Sequence, residues 1–175
     1  MNRRGSTLPR ILLSVVVIAA LVGVRLWLRS SRTSSSSNNP NVSSFSKNDA
    51  AMNGAISKSR QNVQQFIAHL SHPGSGETAF AVKIPIRDGD TTEHFWLSGT
   101  TFDGTKFHGA IDDTPEAVTT VKLGQPVACL PSEVSDWMYV SGNHLIGGET
   151  IRVARSKMST SERAEFDRTF PYRFD

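Results

Sequence analysis

The chain has 175 residues, with 19 Lys+Arg against 16 Asp+Glu and a single cysteine. Residues 1–32 hold six arginines and no acid, which leaves 13 basic against 16 acidic side chains for the rest, near −3. A nucleic-acid binder carries its basic surplus on the folded domain, so that class is set aside. The lone Cys129 excludes an intramolecular disulfide, and a hydrophobic core must hold the fold unaided.

Residues 11–24 form a 14-residue run without a charge. With Leu26, Trp27 and Leu28 the run reaches residue 28, interrupted only by Arg25. That approaches the roughly 20 residues that span a bilayer. Arg25 can snorkel to the headgroups, and Trp27 suits the interfacial belt. The sequence therefore predicts a basic tail at 1–10 and an uncleaved transmembrane signal-anchor helix at 11–28, with the lipid bilayer as its partner. The alternative is a cleaved signal peptide that releases a periplasmic protein. No A-x-A site follows the run, and arginines come directly after it. Arginines flank both sides equally, so the short tail decides orientation: N-terminus inside, domain facing the periplasm or exterior, at the inner membrane.

Nine of the 17 residues at 30–46 are serine. Such a stretch cannot offset its ordering entropy by apolar burial, so residues 29–47 read as a disordered linker. A single domain at 48–175 follows.

Met52, Ile56, Val63, Phe66, Ile67 and Leu70 step at helical spacing over 48–70. Ser46 with Asp49 resembles a capping box at the start. The period then becomes two. Strands are predicted at 80–86, 92–102, 106–111, 119–122, 126–130, 137–140 and 150–155, with turns at Asp88-Gly89, Asp103-Gly104, Gly142-Asn143 and Gly147-Gly148. Pro85 suggests an edge strand or a bulge. Ser159 and Glu162 fit a capping box for a short helix through Phe166. The plan is α+β: an N-terminal amphipathic helix on a curled antiparallel meander of about six strands, able to close like a barrel, then a short C-terminal helix.

Candidate binding residues are Glu93, His94, Trp96, Asp136, Trp137 and Arg152. Alternation puts Glu93, Phe95 and Leu97 on one strand face and His94 and Trp96 on the other. His94 could work with His108 across the hairpin, but no HxH, HxxxH or CxxC spacing supports a metal site. Asp136 could be a general base, or an Asx-type turn residue ahead of its strand. Trp137 and Tyr139 share a face as core or rim. Gly147-Gly148 reads as a turn needing positive φ. It is not a phosphate loop, since GxxxxGK[ST] is missing and a strand is predicted next. Arg152 could pair with Glu93 or Asp136. Cys129 lies in an apolar strand and reads as buried and inert. No cofactor is expected.

The segments EHFWL (93–97), FHGAIDDTP (107–115), VSDWMYV (134–140) and GGETIRVAR (147–155) resemble the DUF2314 (YegJ-like) family of bacterial domains. The resemblance covers roughly 48–170, with Asp113 where the family is expected to favour Asn. It implies no assigned activity, and no catalytic residues carry over. The expectation is a membrane-tethered extracytoplasmic binding or interaction module without catalysis. The alternative is a small hydrolase-type enzyme using Glu93, His94, Asp136 or Arg152.

Overall fold

The structure, a computed structural model, describes residues 49–174. The predicted tail, membrane helix and linker lie outside these residues. Among the described residues, no helix is long and apolar enough to cross a membrane.

The elements run α1 (Ala50–Gln61), α2 (Val63–Ser71), β1 (Glu77–Asp88), β2 (Thr91–Phe102), β3 (Phe107–Ile111), β4 (Pro126–Cys129), β5 (Asp136–Ser141), β6 (His144–Gly147), α3 (Glu149–Ser156) and α4 (Thr160–Thr169). The predicted helix at 48–70 is two helices. Asn62 divides them: its backbone N–H and side-chain Nδ2 both donate to the Lys58 carbonyl, at 3.2 and 3.0 Å. The cap is Asp49, whose Oδ1 accepts from Met52 N–H at 3.2 Å. Its other oxygen pairs with Lys157 and ties the start of α1 to the end of α3. The capping box at Ser159 and Glu162 forms as expected, and α4 continues to Thr169.

All strand pairings are antiparallel, in the order β4-β3-β2-β1-β5-β6. The α+β plan and six strands hold, but the sheet is open where closure into a barrel seemed possible. Residues 119–122 are not a strand, and β6 was not foreseen. Residues 150–155 are helical, inside α3.

An open sheet must manage its edges. The β6 edge takes the C-terminal segment: Leu145 N–H donates to the Arg173 carbonyl, and Arg173 N–H to the Asn143 carbonyl, both at 2.9 Å. On β4, Gln125, Val127 and Cys129 face β3 in the ladder, so by alternation the even-numbered residues point their main-chain groups outward. Pro126 has no N–H to offer, and the Leu130 N–H already donates to Glu133 Oε2 at 2.7 Å. Pro85 also finds its reason here. The β1–β5 ladder ends at the Lys83–Asp136 pair, so Pro85 sits where that flank of β1 has no neighbour to receive an N–H.

The two sheet faces carry separate cores. One gathers Val63, Phe66, Val82, Ile84, Phe95, Leu97, Phe107, Trp137 and Tyr139 under α2. Phe66 is fully buried and stacks on Trp137 at 5.4 Å. Burying one such ring contributes about 2–3 kcal/mol. The other gathers Ala81, Trp96, Met138, Leu145, Ile151, Met158, Phe166 and Phe170 beneath α3 and α4. Trp96 and Trp137 therefore both serve as core, on opposite faces.

Cys129 is buried, and its thiol is pushed up to about 12, first by burial and then by the nearby Glu133 carboxylate. It should resist alkylation by iodoacetamide at pH 8 in the native protein and react fully in urea. Equal labelling rates in both states would refute that placement.

Candidate functional site

The polar groups singled out from the sequence are not gathered in one cleft. Glu93 faces the first core and is 6% exposed. It accepts N–H bonds from Glu116, Ala117 and Val118 at 3.0–3.3 Å. Asp88 does the same for Thr119, accepting its N–H at 2.8 Å and its hydroxyl at 2.9 Å. Two carboxylates thereby pin the long loop between β3 and β4. Satisfied in this way, the loop needs no strand at 119–122.

Asp136 is fully buried. Oδ1 accepts from the Ser59 hydroxyl at 2.8 Å, Trp137 N–H at 2.9 Å and Glu149 N–H at 3.2 Å. Oδ2 accepts from Thr150 N–H at 2.8 Å and the Thr150 hydroxyl at 2.6 Å. Burial pushes this carboxyl above its ordinary range, while the bonds from Thr150, the Lys83 charge and the Ser59 hydroxyl pull it back. A helix does follow Gly147-Gly148, contrary to the sequence reading. Its N-terminal N–H groups are taken by Asp136 from a neighbouring strand. Arg152 then bonds back from that helix to the carbonyls of Gly147 at 3.1 Å and Leu145 at 2.8 Å. SDWMY and GGETIR thus form one fastening between strand, turn and helix.

His94 and His108 lie apart. The β2 residue opposite His108 is Thr101, seven positions from His94, or roughly 23 Å along a strand. His108 Nε2 meets Asp103 at 2.7 Å on the exposed hairpin end, which holds the Asp103 carboxyl well below its usual range. Among the described residues, no group of three or more His, Cys, Asp or Glu side chains is arranged to hold a metal ion.

His94 belongs to a different constellation. Its Nδ1 lies 2.9 Å from the hydroxyl of Ser135, and that hydroxyl donates to the Lys83 carbonyl at 3.1 Å. A hydroxyl has one proton to give, so the ring is the Nδ1–H donor and Nε2 is its basic nitrogen. Next to Ser135, the Val134 carbonyl accepts from Arg60 Nε at 2.9 Å. Lys83 shares the sheet face of His94 and Trp96, its ammonium 5.5 Å from the Trp96 ring centre. Residues 134 and 135 are therefore where α1, β1 and β2 bring Arg60, Lys83 and His94 together. Burial lowers the imidazole to about 4, with further lowering by the Lys83 and Arg60 charges. Sequence reasoning found His94 and Trp96 but not Arg60, Lys83 or Ser135, because only tertiary pairing joins them.

Asp112 is the opposite case. Burial, then the Asp113 charge, raises its carboxyl to about 6, against a bond from Ser98. A group raised in the folded state stabilises below its unfolded value of 3.8, and that stability is lost as pH rises through 6. His94, depressed from 6.5 to about 4, stabilises above 6.5 and loses that as pH falls through 4. The two slopes oppose each other between about pH 4 and 6.5. Asp112→Asn should make stability rise more steeply with pH in urea titrations across that window, and His94→Gln should make it rise less. Unchanged slopes in both variants would contradict these environments.

The match to known proteins is now readable against this geometry. Residues 49–174 match DUF2314, described as an uncharacterized protein conserved in bacteria. The chain belongs to that family. It is 40% identical over 101 residues to the uncharacterized protein YegJ of Escherichia coli (strain K12), covering 58% of this chain and 65% of that protein. It is 36% identical over 90 residues to a putative ankyrin repeat protein of Neisseria meningitidis serogroup B, covering 49% of this chain and 36% of that protein. The matches thus span less than two thirds of each relative's length. No solved structure matches. The resemblance seen in EHFWL, SDWMY and GGETIR is confirmed, and those DUF2314 segments are the ones that fasten loop and helix to the sheet.

Proposed function

We propose that this DUF2314 protein is a membrane-tethered, extracytoplasmic binding module that acts without catalysis. One observation carries the reading. Glu93, Asp136 and Arg152, the groups best suited to acid–base or charge chemistry, are spent on backbone and hydroxyl bonds that hold the fold. A base needs hydrogen-bond reach to a substrate, and a sealed Asp136 has none. Nearer the surface, Arg60 is exposed while Lys83 and His94 are half-buried at the basic end of the sheet. The tether rests on the apolar run at 11–28 and the serine-rich stretch after it.

Crosslinking the full chain in native membranes, followed by mass spectrometry of its neighbours, tests the reading. A reproducible partner crosslinked to the domain, with the chain intact from its N-terminus, is expected. A mature chain free of the membrane and lacking its first two dozen residues would remove the tether. Turnover of a small substrate that is lost in Asp136→Asn but kept in an equally stable core variant would replace the module with an enzyme.

A further inference from the structure

We propose that residues 115–121 form a gated flap over one end of the first core, which opens as a unit on a fixed neck when its latch, Glu93 and Asp88, lets go. This goes beyond the binding-module reading and does not depend on it.

The neck is closed by backbone. Ile111 N–H donates to the Gln125 carbonyl at 3.0 Å, and Gly124 N–H donates to the Ile111 carbonyl at 2.8 Å. Asp112 N–H donates to the Trp96 carbonyl at 3.0 Å. Lys122 N–H meets the Gln125 side chain at 3.1 Å, and its carbonyl accepts from Gln125 N–H at 3.0 Å. The chain thus leaves the sheet and returns at one point, the form of an Ω-loop.

Beyond the neck the fastening changes in kind. Among the described residues, every hydrogen bond of 115–121 ends on Glu93 or Asp88. Three consecutive N–H groups, of Glu116, Ala117 and Val118, converge on the Glu93 carboxylate at 3.0–3.3 Å. Asp88 takes the N–H and hydroxyl of Thr119 at 2.8 and 2.9 Å, together with the Thr120 N–H. Pro115 has no N–H to add. Donors that share an acceptor are released together, so two side chains decide whether the whole segment stays down.

The apolar hold is small. Val118 is the buried side chain of 115–121, and Val121 is partly buried against the same core. Alternation puts Val82, Ile84, Ile86 and Asp88 on one face of β1, and Glu93, Phe95 and Leu97 on the same face of β2. α2 covers one end of that face, where Phe66 meets the rings of Phe80, Phe107 and Trp137 at 5.4–5.9 Å. The flap covers the other end, where Ile86 pairs with Glu93. A segment with few buried apolar groups opens at a lower free energy than the whole fold. Lifting it uncovers Ile86 while the sheet and α2 stay in place.

Hydrogen exchange on the full chain in zwitterionic detergent micelles, read by NMR, tests the flap. The amides of Glu116, Ala117, Val118 and Thr119 should share one protection factor, at least about tenfold below that of the β1–β2 ladder. Asp88→Ala should speed all four by about tenfold, including the three that do not touch Asp88, and leave the ladder unchanged. Glu93→Gln should do the same, and Asp88→Ala decides alone if that variant does not fold. An Ile86→Cys thiol should react with a disulfide reagent at a rate that Asp88→Ala raises by the same factor, with sealed Cys129 as the unreactive reference. Exchange at free-chain rates would overturn the latch, and exchange only at the ladder's rate would overturn the opening. An Asp88→Ala effect confined to Thr119 would overturn the single unit. A thiol rate that Asp88→Ala does not move would overturn the uncovering of Ile86.

Discussion

Gly147→Ala is expected to unfold the domain. A Cβ at this position would lie 2.4 Å from the Trp137 carbonyl oxygen and 2.6–2.7 Å from atoms of its ring. The backbone there is left-handed, at φ +75°, so strain adds to the clash. Trp137 cannot step aside. Its Nε1–H donates to the Ser59 carbonyl at 2.8 Å, its own carbonyl accepts from Gly148 N–H at 2.8 Å, and its ring stacks on Phe66. Overpacking against fixed backbone, with the strain, should cost more than about 4 kcal/mol. Gly54→Ala is the control. Gly54 lies within α1 and nothing stands within 4 Å of its added Cβ, so the change should stabilise by about 0.5–1 kcal/mol. Thermal unfolding followed by near-ultraviolet circular dichroism separates the two. A Gly147→Ala protein melting within a few degrees of the parent would contradict the close approach of turn and strand.

Asp136→Asn should be nearly as damaging. Three backbone N–H groups, of Trp137, Glu149 and Thr150, can only donate, and they approach both oxygens. An amide in that place turns an NH2 toward at least one of them. At least one buried N–H then loses its acceptor and faces another donor, and α3 loses the negative charge at its N-terminus. Together these should cost about 3–5 kcal/mol. Thr150→Val, which keeps the backbone bond and removes only the hydroxyl, should cost about 1–2 kcal/mol. Urea unfolding of the three proteins measures both. An Asp136→Asn variant no weaker than Thr150→Val would show that the carboxylate is not the fastening described. The same comparison bears on function, because any activity lost in Asp136→Asn must be judged against its stability.

The sequence by itself was enough for much that depends on neighbours along the chain, though not for the break at Asn62 or for β6. The β1–β2–β3 meander was legible because alternation and the Asp88-Gly89 and Asp103-Gly104 turns act within a few residues. The Ser159 capping box was legible for the same reason. The family was legible in short segments whose residues sit side by side. The tertiary structure decided the rest. Residues 150–155 carry β-branched Thr150, Ile151 and Val153, which favour a strand locally. They fold as a helix because Asp136, on a different strand, satisfies the N-terminal N–H groups, and because Ile151 and Ala154 then bury one face. The loop at 112–125 stays irregular because Glu93 and Asp88 reach its backbone from β2 and β1. The His94 constellation needs Arg60, Lys83 and Ser135 from segments far apart in the chain. Hydrogen bonds and charges act through space at a few ångströms, so pairings between distant segments exist only once the sheet has set which strands are neighbours.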